Sequence, residues 1–287
     1  MKEHDFIKII QKVTNSNYLG DDCAYLKELG IVITQDNFIE NIHFRTDWAT
    51  PYQIGYKSAI VNISDILASG AKPAYLSVGL SLPNISKEYF EELYQGILAG
   101  ACGAEIIGGD ITGADNIIIS ITAIGKAEGR KISSRKNAKE GQLVISNGNF
   151  GLSSKGLEEL KLGLKNTDAI KVHLEPKLDF KFSEIISTQI DEDYAMMDTS
   201  DGLADALFQI AKSSNVKIKT NKINGMFGAE DYNLVATVPE SFLSKLDNYK
   251  VIGIVEKYDG AYLEIENKRF SDYNELNLYD HFGESNG

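Results

Sequence analysis

The sequence predicts an α/β (α+β) chain in two parts, and three observations lead there. Short β-branched and apolar runs alternate with stretches whose apolar residues recur at helical spacing. A polar, basic, turn-rich stretch from Gly129 to Gly141 interrupts this alternation near the middle. The length of 287 residues is enough for two ordinary domains that each bury a core. The expected division is residues 1–137 and 138–287.

Phe6, Ile9, Ile10 and Val13 mark a short amphipathic helix at the start. Gly20-Asp21-Asp22-Cys23-Ala24-Tyr25 reads as a turn into a short strand, and Ile31-Val32-Ile33 as a buried strand ending in Thr34-Gln35-Asp36. A helix from about Tyr52 to Ser69 stops at Gly70. A strand from Ala74 to Leu82 precedes a helix capped by Ser86 that runs to Gly100. Ile106-Ile107 enters Gly108-Gly109-Asp110, and Asn116 to Gly125 is a β-branched strand. In the second part, Gln142–Ser146 reads as a strand, and Ser153–Leu164 and Asp179–Gln189 as helices. A further helix follows Asp198-Thr199-Ser200-Asp201-Gly202 and ends near Ser213.

Composition excludes several classes. The formal charge of −12 argues against non-specific nucleic-acid binding, which needs Lys and Arg to neutralise phosphates. Cys23 and Cys102 form no disulfide framework, and four scattered histidines give no HExxH pair. The charged N-terminus lacks a signal-peptide core, and no apolar run reaches the roughly 18–20 residues of a membrane span. The expectation is a soluble, cytoplasmic protein. There is no GxxxxGK[ST] loop and no protein-kinase motif set.

The informative feature is where the acids sit. Asp21 and Asp22 follow a glycine, Asp36 ends an apolar run, Asp110 follows Ile106-Ile107-Gly108-Gly109, and Asp198 and Asp201 bracket a helix start. Asp65 lies in Ala59–Ser69, a segment apolar almost all round except for the stripe Asn62, Asp65 and Ser69. A buried carboxylate needs a dedicated partner. Each acid alone also fits a plainer role. Asp198 or Ser200 suits an N-cap, Asp21-Asp22 a turn, Asp36 a strand-end turn, and Asp65 a buried ion pair. Together they favour a shared site for a hard cation such as Mg²⁺, which prefers carboxylate oxygens and bridges to phosphates.

At this point the chain resembles the thiamine-monophosphate kinase family. Seven pieces occur in that family's order: Gly20-Asp21-Asp22-Cys23-Ala24; Asp36 with Glu40-Asn41-Ile42-His43-Phe44; Asn62-Ile63-Ser64-Asp65 closing on Gly70-Ala71; Gly108-Gly109-Asp110; Asp198-Thr199-Ser200-Asp201-Gly202-Leu203; Glu230-Asp231-Tyr232; and Tyr279-Asp280-His281-Phe282. The resemblance implies an aminoimidazole ribonucleotide synthetase-like fold, an N-terminal domain whose sheet forms a homodimer interface, and direct transfer from ATP to thiamine monophosphate with Mg²⁺. It implies Asp21, Asp36, Asp65, Asp110, Asp198 and Asp201 as magnesium ligands, with Thr34 and Gln35 beside them. It implies Tyr94, Gly109, Asp110, Arg135 and Ser200 as ATP contacts, and His43, Glu230 and Tyr279 as contacts to the thiamine end. A cationic thiazolium ring suits an acid and an aromatic partner.

Departures from the family pattern are Gln35 in the Ser-Thr-Asp position, Ile111 after Gly-Gly-Asp, Ala229 and Asn233 around Glu230-Asp231-Tyr232, and the reduced stretch His173-Leu174-Glu175-Pro176-Lys177-Leu178. Two alternatives stand beside the kinase: another ATP-using enzyme of the same superfamily, and a homologue that binds nucleotide or thiamine phosphate without turnover.

Overall fold

A computed structural model describes residues 3–278. An amphipathic helix α1 (Glu3–Thr14) leads into a five-stranded sheet built from β1 (Ala24–Leu26), β2 (Ile31–Ile39), β3 (Lys72–Leu82), β4 (Glu105–Gly113) and β5 (Ile118–Lys126). The strand order is β1-β2-β5-β3-β4; β3 and β4 run parallel and the other pairs antiparallel. The second sheet contains β6 (Leu143–Ser146), β7 (Met196–Asp198), β8 (Val216–Thr220), β9 (Leu234–Val238), β10 (Lys250–Lys257), β11 (Leu263–Ile265) and β12 (Lys268–Phe270). Its order is β12-β11-β8-β10-β6-β9-β7, antiparallel except where β11 meets β8. The first sheet therefore draws on residues before the Gly129–Gly141 stretch and the second on residues after it.

Helix α2 (Pro51–Ala68) is the central element. Thr50 caps it in a reciprocal box with Gln53, and Pro51 occupies the first turn, where no amide donor is needed. It ends on Gly70 at φ +83°, with the Ala71 and Gly70 amides donating to Ile66 and Leu67 carbonyls, a Schellman stop. Between those caps it is buried nearly all round, as its apolar sequence predicts. One side packs on α3 (Lys87–Gly100), which Ser86 caps as expected. The two backbones touch. A Cβ at Gly55 would run into the Leu93 carbonyl, and one at Gly96 into the Tyr52 carbonyl.

A second side of α2 covers the first sheet, chiefly β2 and β5, and a third meets the second part of the chain. Helices α4 (Leu152–Lys161), α5 (Asp168–Leu174), α6 (Phe180–Gln189) and α7 (Leu203–Ser214) flank the second sheet. One apolar cluster runs from Val32, Ile63 and Leu76 through Ile170, Phe182 and Ile186 to Met196 and Val238, so the two sheets share a core. The Gly129–Gly141 connection is itself tied to α2: Ser133 donates through its amide to the Ser69 carbonyl and through its hydroxyl to that of Ala68.

Two elements differ from expectation. Strand β2 does not end at Thr34-Gln35-Asp36 but continues to Ile39, with Val32, Thr34, Asp36 and Phe38 on the helix-facing side. Polar residues at alternate positions hide a strand whose outer face is polar. Helix α5 has no counterpart in the sequence reading; it is two turns long and starts on Thr167, whose hydroxyl accepts from the Ile170 amide.

The α2–α3 seam gives the first prediction. Gly96→Ala gains helix propensity of about 1 kcal/mol yet should lower stability, by roughly 1–3 kcal/mol, because the added methyl has no room. Urea titration followed by far-ultraviolet circular dichroism measures it, and a neutral or stabilised variant would show that the helices are not at backbone contact.

Candidate active site

Carboxylates from both parts of the chain meet beside α2. Asp22 precedes β1, Asp65 lies in the last turns of α2, and Asp198 ends β7. One oxygen from each lies within 4.8 Å of the other two. The Thr34 hydroxyl donates to Asp65 Oδ2 at 2.7 Å, and the Ser64 hydroxyl to Asp198 Oδ2 at 2.5 Å. Asp36 follows Thr34 by one strand repeat, and its amide donates to Asn62 Oδ1 on α2 at 3.1 Å. Asn62 and Asp65 of the polar stripe thus belong to the site, Ser69 Oγ instead donates to the Ile66 carbonyl, and Asp65 has no Lys or Arg ion-pair partner among the described residues.

Burial and like charge act together here. Burial is the main cause, and the Asp22 charge the second, that pushes both Asp36 and Asp198 up to about 6. Asp65 is held well above its ordinary value by burial, then by Asp36, Asp198 and Asp22, against the Thr34 hydrogen bond. The nearest compensation is Arg135, whose Nη2 donates to Asp22 Oδ1 at 2.7 Å. Burial works against the Arg135 charge, but Asp22 and its hydrogen bond outweigh it. Hard oxygen donors with excess negative charge in a poorly solvated place fit a divalent cation such as Mg²⁺.

Other expected residues fall in different places. Asp21 does not join the cluster, which corrects the sequence expectation. Its carboxylate accepts from Ser134 Oγ at 2.9 Å and the Arg135 amide at 2.7 Å, so it pins the inter-sheet connection, and Asp22 contributes the oxygen that joins the cluster. Gln35 also departs from expectation. It lies on the opposite face of β2, where its Oε1 accepts from Thr122 Oγ1 at 2.9 Å, so its difference from the family pattern leaves the cluster intact. Asp110 and Gly109 sit in the exposed edge strand β4, three strand spacings or about 14 Å from Asp36. Gly109 is required there, since a Cβ would run into the Val78 backbone. Asp201 is exposed beside Asp198. Tyr94 lies on α3 with its ring 5.5 Å from that of Phe90, partly buried against the core.

Ser200 joins this cluster to a second polar group. Its amide and hydroxyl donate to Asp198 Oδ1 at 3.3 and 3.0 Å, and its carbonyl accepts from the Glu230 amide at 2.6 Å. Glu230 has the left-handed φ of +63°, rare for a residue with a Cβ. Its carboxylate pairs with Lys57 of α2 at 3.2 Å and with His173 of α5 at 3.4 Å. Burial pushes Glu230 upward, but Lys57, His173 and His43 together hold it below its ordinary value. A pocket beside this group is lined by Phe38, His43, Trp48, Gln53, Lys57 and His173. His43 and Glu230 are therefore brought together, and the His43 ring stacks on Phe38 at 5.7 Å. Tyr279 lies outside the described residues.

Residues 20–127 match the family model described as AIR synthase related protein, N-terminal domain. The thiamine-monophosphate kinase of Archaeoglobus fulgidus is 32% identical over 98% of each chain, and that of Pyrococcus horikoshii 30% identical over 93% of each chain. The chain belongs to the thiamine-monophosphate kinase family. A solved structure described as AaThiL complexed with AMPPCP and TMP superimposes with a TM-score of 0.86 at 28% identity, covering 98% of this chain and 97% of that one. The two-sheet architecture is thus that of a thiamine-monophosphate kinase, with the AIR-synthase-like fold.

Within this family member, the sequence pattern did not single out Lys57, His173 or Ser64 as site residues, and it placed Asp21 and not Asp22 in the cluster. Lys57 carried a visible signal: it is the one basic residue in a helix otherwise apolar enough to be buried. The choice between adjacent Asp21 and Asp22 carried none, because neighbouring side chains in extended chain point opposite ways.

The raised carboxyls fix the sign of a pH effect. The folded protein binds their protons more tightly than the unfolded chain, so metal-free protein loses stability as pH rises from about 4 through about 6. Mg²⁺ should restore it at pH 7, by about 2.7 kcal/mol at one hundred times its Kd, and much less at pH 5, where protons compete. Metal-free Asp65→Asn should be more stable than wild type at pH 7 by roughly 1–2 kcal/mol. Thermal melts with EDTA or MgCl2 test both, and equal Mg²⁺ stabilisation at the two pH values would contradict the cluster's role.

Proposed function

We propose that the chain phosphorylates thiamine monophosphate to thiamine diphosphate, taking the terminal phosphoryl group of ATP by direct in-line transfer with Mg²⁺. The observation that carries this reading is the convergence of Asp22, Asp65 and Asp198 from both parts of the chain, in a member of a family named for that reaction. The structure described as AaThiL complexed with AMPPCP and TMP adds support for a nucleotide and a thiamine phosphate as the two ligands.

Asp22, Asp36, Asp65 and Asp198, with Thr34 beside them, would hold Mg²⁺, which when bound neutralises phosphate charge and aligns donor with acceptor. The chain's own residues do the positioning. Arg135 and Ser200 border the cluster and supply hydrogen-bond donors for ATP oxygens. Asp201, Gly109, Asp110 and Tyr94 are carried from the family resemblance as further contacts to ATP or metal. His43 lines the pocket proposed for the thiamine ring end, with Trp48 and Phe38 as its apolar walls, and Glu230 pairs with the lining residues Lys57 and His173. The acceptor phosphate is already anionic near neutral pH, with a second pKa of about 6, so no strong general base is needed.

A homodimer and a two-domain division near 137/138 complete the reading. The dimer is supported by the open face of the first sheet, where Gln35, Asn37, Ser120 and Thr122 hydrogen-bond on the exposed side. It is supported too by the edge strand β4, which leaves Ile107 and Ile111 more than half exposed. The division is supported by the separate residue ranges of the two sheets.

The test is an Mg²⁺-dependent assay with ATP and thiamine monophosphate that follows ADP and thiamine diphosphate. Product should form only with Mg²⁺; binding of both ligands without product in saturating Mg²⁺ would refute the enzyme reading. Asp65→Asn should keep its circular dichroism spectrum and lose kcat by about 10²-fold or more. Full activity in that variant would remove Asp65 from the site.

A further inference from the structure

The Lys57 ammonium is almost completely enclosed, with 3% of its side chain exposed, and its partners all come from the other part of the chain. Nζ lies 3.2 Å from Glu230 Oε1 and 3.5 Å from His173 Nε2. His173 Nδ1 lies 3.4 Å from Glu230 Oε2 and 3.0 Å from Ser153 Oγ. Burial first, and Lys57 second, lower His173 to about 4, so the imidazole is neutral near pH 7. A nitrogen that faces an ammonium must accept; Nε2 therefore bears the lone pair and Nδ1 the proton, directed at Glu230 and Ser153. The three groups close a ring in which both carboxylate oxygens of Glu230 are held.

The Glu230 main chain is held as well, by its amide bond to Ser200 and by the left-handed turn it occupies. One quarter of its side chain remains exposed, and Lys57 and His173, which hold it, line the pocket that also bears His43. A carboxylate this enclosed, without a cation against it, would take up a proton or swing toward solvent. Lys57 prevents both.

We propose that Lys57 is a positioning residue for thiamine monophosphate, fixing the Glu230 carboxylate at the ring-binding end of the site from the same helix that presents Asp65 to the metal end. This deepens the functional reading above and rests on it. Lys57 touches neither substrate; it acts through Glu230, and His173 transmits the same constraint to the second carboxylate oxygen.

Steady-state kinetics on the full chain, with ATP and thiamine monophosphate in saturating Mg²⁺, test it with Lys57→Met, Glu230→Gln and the double variant. Lys57→Met should raise KM for thiamine monophosphate about tenfold or more while KM for ATP stays within about twofold. Its effect should vanish on the Glu230→Gln background, since Lys57 works only through that carboxylate. If Lys57→Met alone does not fold, the double variant, which leaves no unpaired buried charge, is compared with Glu230→Gln, and equal KM values are again expected. Equal rises in both KM values, or effects that add across the two sites, overturn the assignment. A wild-type chain with no thiamine-monophosphate turnover overturns the functional reading and this proposal with it. An active wild type with an unsplit KM response overturns the Lys57 assignment alone.

Discussion

Everything in the site depends on one electrostatic constraint: charges are buried on a helix that has almost no access to water. Asp65 and Lys57 both belong to α2, and each must find compensation from outside it. Asp65 lies among other carboxylates, which with burial hold it well above its ordinary value. Lys57 finds a fixed anion in Glu230. The same low-dielectric surroundings thus gather excess negative charge at one end and complete an ion pair at the other. Neither would form if α2 lay on the surface, where water would screen both groups.

The two parts of the chain are joined by the partners those charges require. Ser64 reaches Asp198, Arg135 reaches Asp22, and Lys57 reaches Glu230 and His173. The Gly129–Gly141 connection looks like a loose linker in composition, yet Ser133 and Ser134 bind it to α2 and Asp21. The shared apolar core holds the sheets together, while these polar contacts set their register. Removing a partner from any of them leaves a buried charge, so the polar contacts are also the points at which the interface is least tolerant of change.

The strongest elements of the fold were legible because their local chemistry agrees with their tertiary role. Thr50 and Gln53, Ser86, and Gly70 mark helix ends by capping rules, and the Ile118–Lys126 strand is rich in β-branched residues. The site was legible as a set of misplaced acids, with Asp65 the most informative because an apolar helix gives a lone carboxylate no reason to be there. What could not be read were facts of direction and distance. Asp21 and Asp22 are adjacent and chemically identical, so only the fold decides that one pins a loop and the other joins the cluster. Gln35 and Asp36 are likewise separated by the alternation of β2, which the polar run Thr34–Asn37 disguised as a strand end. Lys57 meets Glu230 across a sequence gap that no local pattern spans.

The backbone contact between α2 and α3 has a consequence for how the two ends of the site are spaced. Glycines 55 and 96 lock α2 against sliding or rolling, since any shift would drive a main-chain atom into its neighbour. Asp65 and Lys57 are eight residues apart, about 12 Å along a rigid helix. The helix therefore works as a calliper, with one jaw at the carboxylate cluster and the other at the ion pair with Glu230. A single residue inserted between them would rotate one jaw by about 100° relative to the other.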